Sequence, residues 1–306
     1  MINMRMMRTK HLTVAAACIV AVSTAAVGAE RGPAYTVIDV PGATLTSAQG
    51  INSRGEIVGL YVDSSGTHGF VVRDGWFTKI DYPGAVYTDA RGVNARGEIV
   101  GAYKLAGEPA VNIHGYLRSK HGEFTPIDFP GHTNVILQRI TSAGLILGCR
   151  HDTDTMGTMH GIMINGRDTS EVAEIGAFAS MNNGSTPDGG LIVGLFTDMD
   201  AGKGRAYLLY GGNTFIPFDV PGSVFTAGWD VNAKGEAVGV YRDATNKFHG
   251  FLWKDLQFTS IDYPAATATR AFGINSRGAI VGAYVDAAGK THGFVASKER
   301  DDDDDR

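Results

Sequence analysis

The stretch GINSRGEIVGLYVD, from Gly50 to Asp63, decides the fold of this 306-residue chain. Apolar residues flank a short polar segment that ends at Gly55, which is the pattern of two β-strands joined by a tight turn. Three further copies are GVNARGEIVGAYKL from Gly92, DVNAKGEAVGVYRD from Asp230 and GINSRGAIVGAYVD from Gly273. Self-similarity of this kind indicates a repeat architecture.

Two other phrases recur in a fixed order around this one. A phrase of the type IDxPGA precedes the copies, and a short phrase containing His-Gly follows them. The first phrase reads YTVIDVPGA (Tyr35 to Ala43), FTKIDYPGA (Phe77 to Ala85), FTPIDFPGH (Phe124 to His132), FIPFDVPGS (Phe215 to Ser223) and FTSIDYPAA (Phe258 to Ala266). The second reads THGF at Thr67, IHGY at Ile113, MHGI at Met159, FHGF at Phe248 and THGF at Thr291.

Two series of glycines divide the chain into six units. The turn glycines are Gly55, Gly97, Gly144, Gly190, Gly235 and Gly278, and the glycines of the following strand are Gly59, Gly101, Gly148, Gly194, Gly239 and Gly282. A helical solenoid of this period would show apolar residues at 3.6-residue spacing, and the units lack that spacing. The 41 glycines are about twice the average usage. Each unit therefore reads as four short strands with tight turns.

Unit one illustrates the predicted strands and turns. The four strands are predicted at Thr46 to Asn52, Glu56 to Asp63, Thr67 to Arg73 and Trp76 to Asp81. Gly55 is expected to adopt positive φ in the first turn. The pair Asp74-Gly75 predicts a two-residue hairpin turn.

Six four-stranded antiparallel units in tandem predict an all-β fold, a six-bladed β-propeller over residues 30–297. The chain begins with a lone copy of strand four, Tyr35 to Asp39, and its last unit stops after strand three near Ala296. The N-terminal strand is therefore predicted to complete the last blade. This pairing would close the ring and remove two sheet edges.

The combination of HGF, IDxPGA and GINxxGxIVGxYxD resembles the bacterial extracellular repeat proteins named after their HAF motif. The resemblance extends from Tyr35 to about Val295, and this chain has HGF or HGY where the family has HAF. The resemblance implies export and a repeat architecture. Because that family is defined by its repeat, the resemblance implies no particular activity.

Residues 1–29 read as a signal peptide, which predicts a secreted protein, extracellular or periplasmic. A basic segment with Arg5, Arg8 and Lys10 precedes a short apolar run, and Val27-Gly28-Ala29 offers a cleavage site. The run is too short and too rich in alanine for a membrane span. The alternatives are an uncleaved anchor and a lipoprotein.

Charge and cysteine content restrict the partners and the sources of stability. Cleavage of residues 1–29 removes three basic residues and no acidic one, so the net charge falls from −5 to −8. An acidic chain of this kind lacks the electrostatic footprint for nucleic acid or anionic lipid. Cys149 remains without a second cysteine, so no intramolecular disulfide is expected. The tail at 298–306, with Asp301 to Asp305, is predicted to be disordered.

The recurring polar residues allow two interpretations. Strand alternation places the histidines and the aspartates that end strand four at one end of the ring; they are His68, His114, His160, His249, His292 and Asp39, Asp81, Asp128, Asp219, Asp262. A ring of such groups could bind a metal ion or perform acid–base chemistry. Because a brace is needed once in every unit and a catalytic site only once, recurrence favours a structural role within each unit. The same argument assigns the recurring asparagines to turns; they are Asn52, Asn94, Asn232 and Asn275.

Units three and four break the repeat and supply the candidate ligand-binding residues. Arg150 replaces the recurring tyrosine of strand two, and Arg205 replaces the recurring histidine. The full candidate set is Arg150, His151, Asp152, Asp154, His160 and Arg205. The two arginines could hold a carboxylate or phosphate. His151 and Asp154 are weak metal candidates, because the turn lacks the spacing of a calcium loop.

The sequence predicts a monomeric binding module for glycans or extracellular proteins, with no cofactor. The alternative is a secreted polysaccharide hydrolase or lyase with its site in units three and four, and a role in envelope or matrix assembly is a third hypothesis. No nucleophile-elbow, zinc-protease, P-loop or dinucleotide-binding motif stands in a supporting context. A single deep pocket lined by residues such as His151, Asp154 and Arg205 would favour the enzyme. Six equivalent crevices would favour the binding module.

Overall fold

The computed structural model describes residues 33–109, 111–132, 134–151, 159–172 and 177–297. The predicted signal peptide and the acidic tail lie outside these residues. Every regular element of the described residues is a β-strand. Within the same ranges, no helix has the length and hydropathy needed to cross a membrane.

The strands follow the repeat units along the chain. Before the first unit comes β1 (Ala34–Ile38), and unit one contains β2 (Leu45–Ile51), β3 (Ile57–Asp63), β4 (Gly66–Arg73) and β5 (Trp76–Ile80). Unit two contains β6 (Ala85–Thr88), β7 (Gly92–Val93), β8 (Ile99–Leu105), β9 (His114–Arg118) and β10 (Phe124–Ile127), and unit three contains β11 (Val135–Ile140), β12 (Ile146–His151), β13 (Met159–Asn165) and β14 (Asp168–Val172). Unit four contains β15 (Ala177–Ser185), β16 (Leu191–Asp198), β17 (Lys203–Tyr210) and β18 (Thr214–Phe218). Unit five contains β19 (Phe225–Val231), β20 (Ala237–Arg242), β21 (Phe248–Lys254) and β22 (Gln257–Ile261), and unit six contains β23 (Ala268–Ile274), β24 (Ile280–Val285) and β25 (Thr291–Ser297).

Turn chemistry agrees with the sequence at most positions. Gly55 has φ of 88°, and Asp74 and Gly75 have φ of 50° and 79°, as a two-residue turn of type I′ requires. In unit four the glycine with positive φ is Gly189, at 77°, whereas the sequence alignment had assigned the turn to Gly190. The irregular TPDGG segment allows either alignment, so the repeat pattern alone could not place this turn.

The sheets divide differently from the expected six separate ones. Units three, four and five are separate four-stranded antiparallel sheets, whereas units six, one and two join in one thirteen-stranded sheet. The joins are two parallel bridges of a single residue pair each, Leu45 with Thr291 and Thr67 with Tyr87. At each join, the first strand of one unit begins beside the third strand of the preceding unit.

The N-terminal strand pairs with the last strand of the chain. β1 runs antiparallel to β25, with Tyr35 opposite Ala296 and Ile38 opposite Gly293. The first strands of successive units also contact one another in the order β2, β7, β11, β15, β19 and β23, and β23 contacts β2. We call these six the inner strands.

The apolar core lies between neighbouring units. One buried cluster joins Val58, Val71 and Ile80 of unit one to Ile99 and Tyr116 of unit two, among others. Another joins units five and six through Val238, Ile261, Ala271, Ile280 and Phe294. Because each sheet has a neighbour on both faces, its strands lack the simple alternation of buried and exposed residues, and the stability comes from burial at these faces.

The strand-two glycines are needed for close approach to the inner strand. A Cβ added at Gly59 would lie 2.1 Å from the carbonyl oxygen of Ser47, and one added at Gly282 would lie 1.9 Å from that of Arg270. In every unit except unit two, this glycine faces an inner strand just before a β-bulge, such as that between Ala48 and Gly50. No larger residue fits at these positions without moving the inner strand.

Candidate functional site

Four of the five recurring histidines bridge two polar groups at one end of the sheets, which we call the histidine end. Each Nδ1 contacts the aspartate that follows strand four: His68 with Asp81 at 2.7 Å, His114 with Asp128 at 3.0 Å, His249 with Asp262 at 2.7 Å and His292 with Asp39 at 2.6 Å. Each Nε2 contacts the turn before strand three: His68 with Ser65 at 2.8 Å, His114 with Glu108 at 3.1 Å, His249 with Asp243 at 3.2 Å and His292 with Asp286 at 3.2 Å. Both ring nitrogens are therefore occupied, and each histidine ties strand four to a turn.

The recurring tyrosines stack on these histidines. The ring centroids lie 4.9–5.2 Å apart in the pairs Tyr61 with His68, Tyr103 with His114, Tyr241 with His249 and Tyr284 with His292. In two units a tyrosine of the Pro-containing link covers the other face, with Tyr82 at 3.6 Å from Tyr103 and Tyr263 at 3.6 Å from Tyr284. Burial, followed by the charges of Asp63 and Asp81, raises the pKa of Tyr61 to about 12, so its phenol stays neutral.

Unit four replaces the histidine by Arg205 and keeps the bridge. Nε of Arg205 donates to Asp219 and Nη1 donates to Asp198, each at 2.9 Å. These two carboxylates occupy the same places as Asp262 and Asp243 around His249. Arg205 is thus engaged within its own unit.

Unit three places three of its candidate residues on adjacent strands. Arg150 lies opposite His160 in the pairing of β12 with β13. The guanidinium of Arg150 forms a bidentate pair with Glu171, at 2.5 and 3.0 Å, and contacts His132 at 3.4 Å. Nε2 of His151 lies 3.4 Å from the Sγ of Cys149. Arg205 belongs to a different sheet.

The remaining candidates of unit three, Asp152 and Asp154, lie outside the described residues. Within the described ranges, no group of three or more His, Cys, Asp or Glu side chains is placed to hold a metal ion. Cys149 is fully buried, and burial raises the pKa of its thiol to about 12. A thiol in that environment stays protonated and unreactive.

The recurring asparagines lie at the opposite end of the sheets, which we call the asparagine end. Oδ1 of Asn52 accepts hydrogen bonds from the backbone N–H groups of Arg54 and Glu56, at 2.9 and 3.1 Å. Nδ2 of Asn52 donates to the Glu56 carboxylate and to the carbonyl of Asn94 in the next unit, at 2.9 Å to the carbonyl. All the hydrogen-bonding positions of this amide are thereby used.

The bond from an asparagine to the next unit recurs around the molecule. Nδ2 of Asn94 donates to the carbonyl of Thr141 at 3.1 Å. Nδ2 of Asn232 donates to the carbonyl of Asn275 at 3.1 Å, and Nδ2 of Asn275 donates to the carbonyl of Asn52 at 3.3 Å. The last of these bonds joins the final unit to the first. The asparagines therefore cap turns as expected, and in addition they connect neighbouring units.

Two charged residues replace glycines at the centre of the inner strands. The position lies two residues before the recurring asparagine or its equivalent. It holds a glycine in four units, namely Gly50, Gly92, Gly184 and Gly273. Unit three has Arg139 there, and unit five has Asp230. Nη1 of Arg139 donates to the carbonyls of Arg91 and Gln138, each at 2.8 Å. Its Nη2 donates to the carbonyls of Gln49, at 3.0 Å, and of Phe272. A single side chain thus binds the backbones of units one, two, three and six.

Asp230 supplies the counter-charge for this arginine. Its carboxylate lies 3.4 Å from Nε of Arg139 and accepts the backbone N–H groups of Val231 and Ile274, at 3.0 and 3.1 Å. Burial raises the pKa of Asp230, and the charge of Arg139 and the two N–H groups oppose that effect. The pair therefore joins unit three to units five and six.

A depression of about 150 Å³ lies over this pair at the asparagine end. All six units contribute to its lining. Its apolar walls are Ile51, Val93, Ile140, Val231 and Ile274, and its rim carries the hydroxyl groups of Ser53, Ser142 and Ser276. Among the described residues, these three hydroxyls have no hydrogen-bond partner. The equivalent positions in the other three units hold Ala95, Pro187 and Ala233, so the hydroxyls come from units six, one and three only.

Sequence reasoning missed Arg139, Asp230 and the rim serines. The sequence did contain a signal for Arg139 and Asp230. Three units have glycine two positions before the recurring asparagine, whereas units three and five have Arg139 and Asp230 at this position. Neither His151 nor Arg205 lines this depression.

Comparisons with known proteins place the chain in a fold and not in a family. No protein-family model matches the chain, and no curated protein matches it significantly. The β-propeller domain of the trilobed protease from Pyrococcus furiosus is 10% identical with a TM-score of 0.53, covering 84% of this chain and 95% of that chain.

Two further solved structures differ in activity from one another. A gluconolactonase from Xanthomonas campestris is 13% identical with a TM-score of 0.53, covering 94% of this chain and 98% of that chain. The fucose-specific lectin from Aleuria aurantia is 10% identical with a TM-score of 0.52, covering 82% and 96%. At this identity the likeness establishes the β-propeller fold and no activity.

Exchanging the residue that bridges the two aspartates of unit four tests the role of this bridge. Arg205→His recreates the arrangement of the other units, so the variant should unfold close to the wild-type temperature. Arg205→Met leaves Asp198 and Asp219 without their shared donor, and it should unfold at a lower temperature than the histidine variant. Thermal unfolding followed by circular dichroism measures this order. Equal loss in both variants would show that the bridge does not matter.

Removing the central charges in turn tests their coupling. Arg139→Gly leaves Asp230 buried without its counter-charge and should lower the free energy of unfolding by about 3–5 kcal/mol. Restoring glycine at both positions, Arg139→Gly with Asp230→Gly, should cost less than the sum of the two single changes. Urea denaturation of the four proteins gives the coupling energy. Additive losses would contradict the structural role of the pair.

The stability contribution of His114 should depend on pH. Burial disfavours its charged form, but the hydrogen bonds and charges of Asp128 and Glu108 outweigh burial and raise the pKa of His114. Because the pKa of His114 is higher in the folded than in the unfolded chain, its protonation stabilises the folded state. This stabilisation is complete below the pKa of the unfolded chain, about 6.5, and is lost as the pH rises through the pKa of the folded chain. The difference in unfolding free energy between wild type and His114→Gln should therefore shrink between about pH 5.5 and 8.5. His121→Gln, which removes an exposed histidine of the same unit, is the control. A difference that stays constant or grows over this range would be the contrary result.

Proposed function

We propose that this chain is an exported propeller of six blades that binds a small neutral polyhydroxylated ligand, such as the terminal sugar of a glycan, in the central depression. The observation that carries the proposal is the combination of three unpartnered serine hydroxyls with apolar walls in one concavity. The proposal includes a monomeric state and a relationship to the HAF-repeat proteins, both of which come from the sequence.

Three contacts support the six-bladed ring. β1 pairs with β25, so the N-terminal strand supplies the fourth strand of unit six. The amide of Asn275 in unit six donates to the carbonyl of Asn52 in unit one. Arg139 binds carbonyl groups that lie as far apart along the chain as Gln49 and Phe272. A closed ring accounts for all three, since each brings the first and last parts of the chain together.

The chemistry of the depression suits hydroxyl groups better than charged groups. Arg139 and Asp230 at its floor bond to backbone groups and form an ion pair with one another, so no unpaired charge faces a ligand there. Each serine hydroxyl can both donate and accept a hydrogen bond, as a sugar hydroxyl can. The aliphatic walls match the C–H faces of a sugar ring. A site with apolar walls and few polar groups is the usual form of a small-molecule site.

The size of the depression limits the ligand to a small group. Its volume of about 150 Å³ is below the roughly 300–1,000 Å³ of pockets that bury a drug-sized molecule. A single monosaccharide unit is therefore a better match than an extended chain. The likeness to a fucose-specific lectin is compatible with this proposal, although it concerns the fold alone.

A glycan array followed by calorimetry on the mature protein tests the proposal. A neutral glycan that binds the folded protein should raise its unfolding temperature. The triple variant Ser53→Ala, Ser142→Ala and Ser276→Ala should bind the same glycan more weakly, by about fivefold for each hydrogen bond of about 1 kcal/mol. Ser64→Ala, which changes an exposed serine in a turn at the histidine end, should bind like wild type. The proposal fails if no neutral glycan binds, or if the triple variant and the control bind equally.

A further inference from the structure

A second unit-specific feature lies at the histidine end, between units five and six. It consists of Trp229, Arg242 and Phe248 of unit five with Arg270 and Phe272 of unit six, and we call it the arginine–aromatic cluster. None of these five residues lines the depression, although Trp229 precedes its lining residue Asp230 and the carbonyl of Phe272 binds its lining residue Arg139. The cluster is therefore separate from the depression.

The aromatic residues of the cluster rest on a buried apolar base. Phe272 is buried together with Val240 and Ala283, and the half-buried rings of Trp229 and Phe248 pack against this group. Trp229 meets Phe272 edge to face, with centroids 5.0 Å apart and an interplanar angle of 77°. The two half-buried rings are thus held in place from beneath and remain partly open to solvent.

Both arginines lie over the same phenyl ring. The Cζ atom of Arg270 is 4.3 Å from the centroid of Phe248, and that of Arg242 is 6.0 Å from it. Cation–π attraction of this kind holds a guanidinium in position without using its N–H groups. Two positive charges are therefore fixed beside one ring, and their hydrogen-bond donors are left for another partner.

Neither arginine has an acidic partner among the described residues. Burial alone lowers the pKa of Arg270, with no carboxylate acting against it. Nε of Arg242 is sealed from solvent without a hydrogen-bond partner. Asp243 is next in the chain, but its carboxylate bonds Thr245, the backbone of Lys247 and His249. Two like charges held over one ring without an acidic partner cost free energy unless an anion compensates them.

Three other arginines have partners for their guanidinium groups, whereas Arg118 lies over the ring of Phe124 with an Nη1 that has no hydrogen-bond partner. Arg150 and Arg205 bind carboxylates, and Arg139 binds carbonyls and Asp230. No other unit has an arginine at either position of the cluster. The residues equivalent to Arg270 are Ser47, Asp89, Ile136, Met181 and Ala227. The residues equivalent to Arg242 are Val62, Lys104, His151, Thr197 and Val285. The pairing of two unpartnered arginines belongs to this one place. A repeated structural brace would appear in several units.

We propose that the arginine–aromatic cluster binds an oxyanion, a carboxylate or a phosphate, carried by a sugar whose apolar face packs on Trp229. The planar guanidinium of Arg270 can form a bidentate contact with the anion, and Arg242 supplies the second charge. The indole N–H of Trp229 donates to no described residue and can bind a ligand hydroxyl. This site goes beyond the neutral site of the depression and does not depend on it.

Calorimetry with three sugars at constant ionic strength tests the proposal. Glucuronate and glucose 6-phosphate carry the two anions, and glucose is the neutral control. At least one acidic sugar should bind, and glucose should bind at least tenfold more weakly at this site. Binding of only one acidic sugar would identify the anion. The proposal is overturned if neither acidic sugar binds, or if glucose binds equally well.

Matched variants separate a binding role from a structural one. Arg270→Gln and Arg242→Gln should each weaken binding of the acidic sugar at least tenfold. Arg277→Gln, which removes an exposed arginine at the asparagine end, should leave binding unchanged. In buffer without the acidic sugar, the two cluster variants should unfold at or above the wild-type temperature, because each removes an uncompensated charge. Lower unfolding temperatures for both, or equal weakening by Arg277→Gln, would overturn the proposal.

Discussion

The inner strands approach one another so closely that most side chains are excluded from the centre of the molecule. A Cβ on Gly92 would lie 2.8 Å from the Cα of Arg139, and one on Gly184 would lie 2.4 Å from the Cα of Asp230. Glycine in four units creates the room that Arg139 and Asp230 occupy from the other two. The glycines and the charge pair therefore depend on one another, and the apolar faces between the units can pack only because the inner strands meet at this distance.

This constraint explains why the recurring polar residues carry little information about ligands. His249 binds two carboxylates of its own unit, and Asn52 uses its whole amide for a turn and for the next unit. A repeated residue solves a problem that every unit has, namely how to hold its turns and its neighbours. Binding chemistry is expected where one unit departs from the others, as Arg270 does in the place of Ser47 or Ala227.

The sequence was sufficient for the strands and insufficient for the sites. The apolar pattern and the Asp-Gly turn placed the strands of unit one within one residue, because turn chemistry and strand period are local properties. The role of Arg139 depends on carbonyl groups of three other units, and no local pattern contains that information. The carboxylate partners of Arg150 and Arg205 likewise depend on strand pairing, which no local pattern reveals.

Arg139 and Asp230 also connect the two proposed sites. Both residues line the depression. The carbonyl of Phe272 in the cluster binds Arg139, and Asp230 follows Trp229 directly. A ligand at one site can therefore change the affinity of the other only if it has different contacts in two arrangements of these backbone segments, because coupling requires a difference in binding free energy between two states.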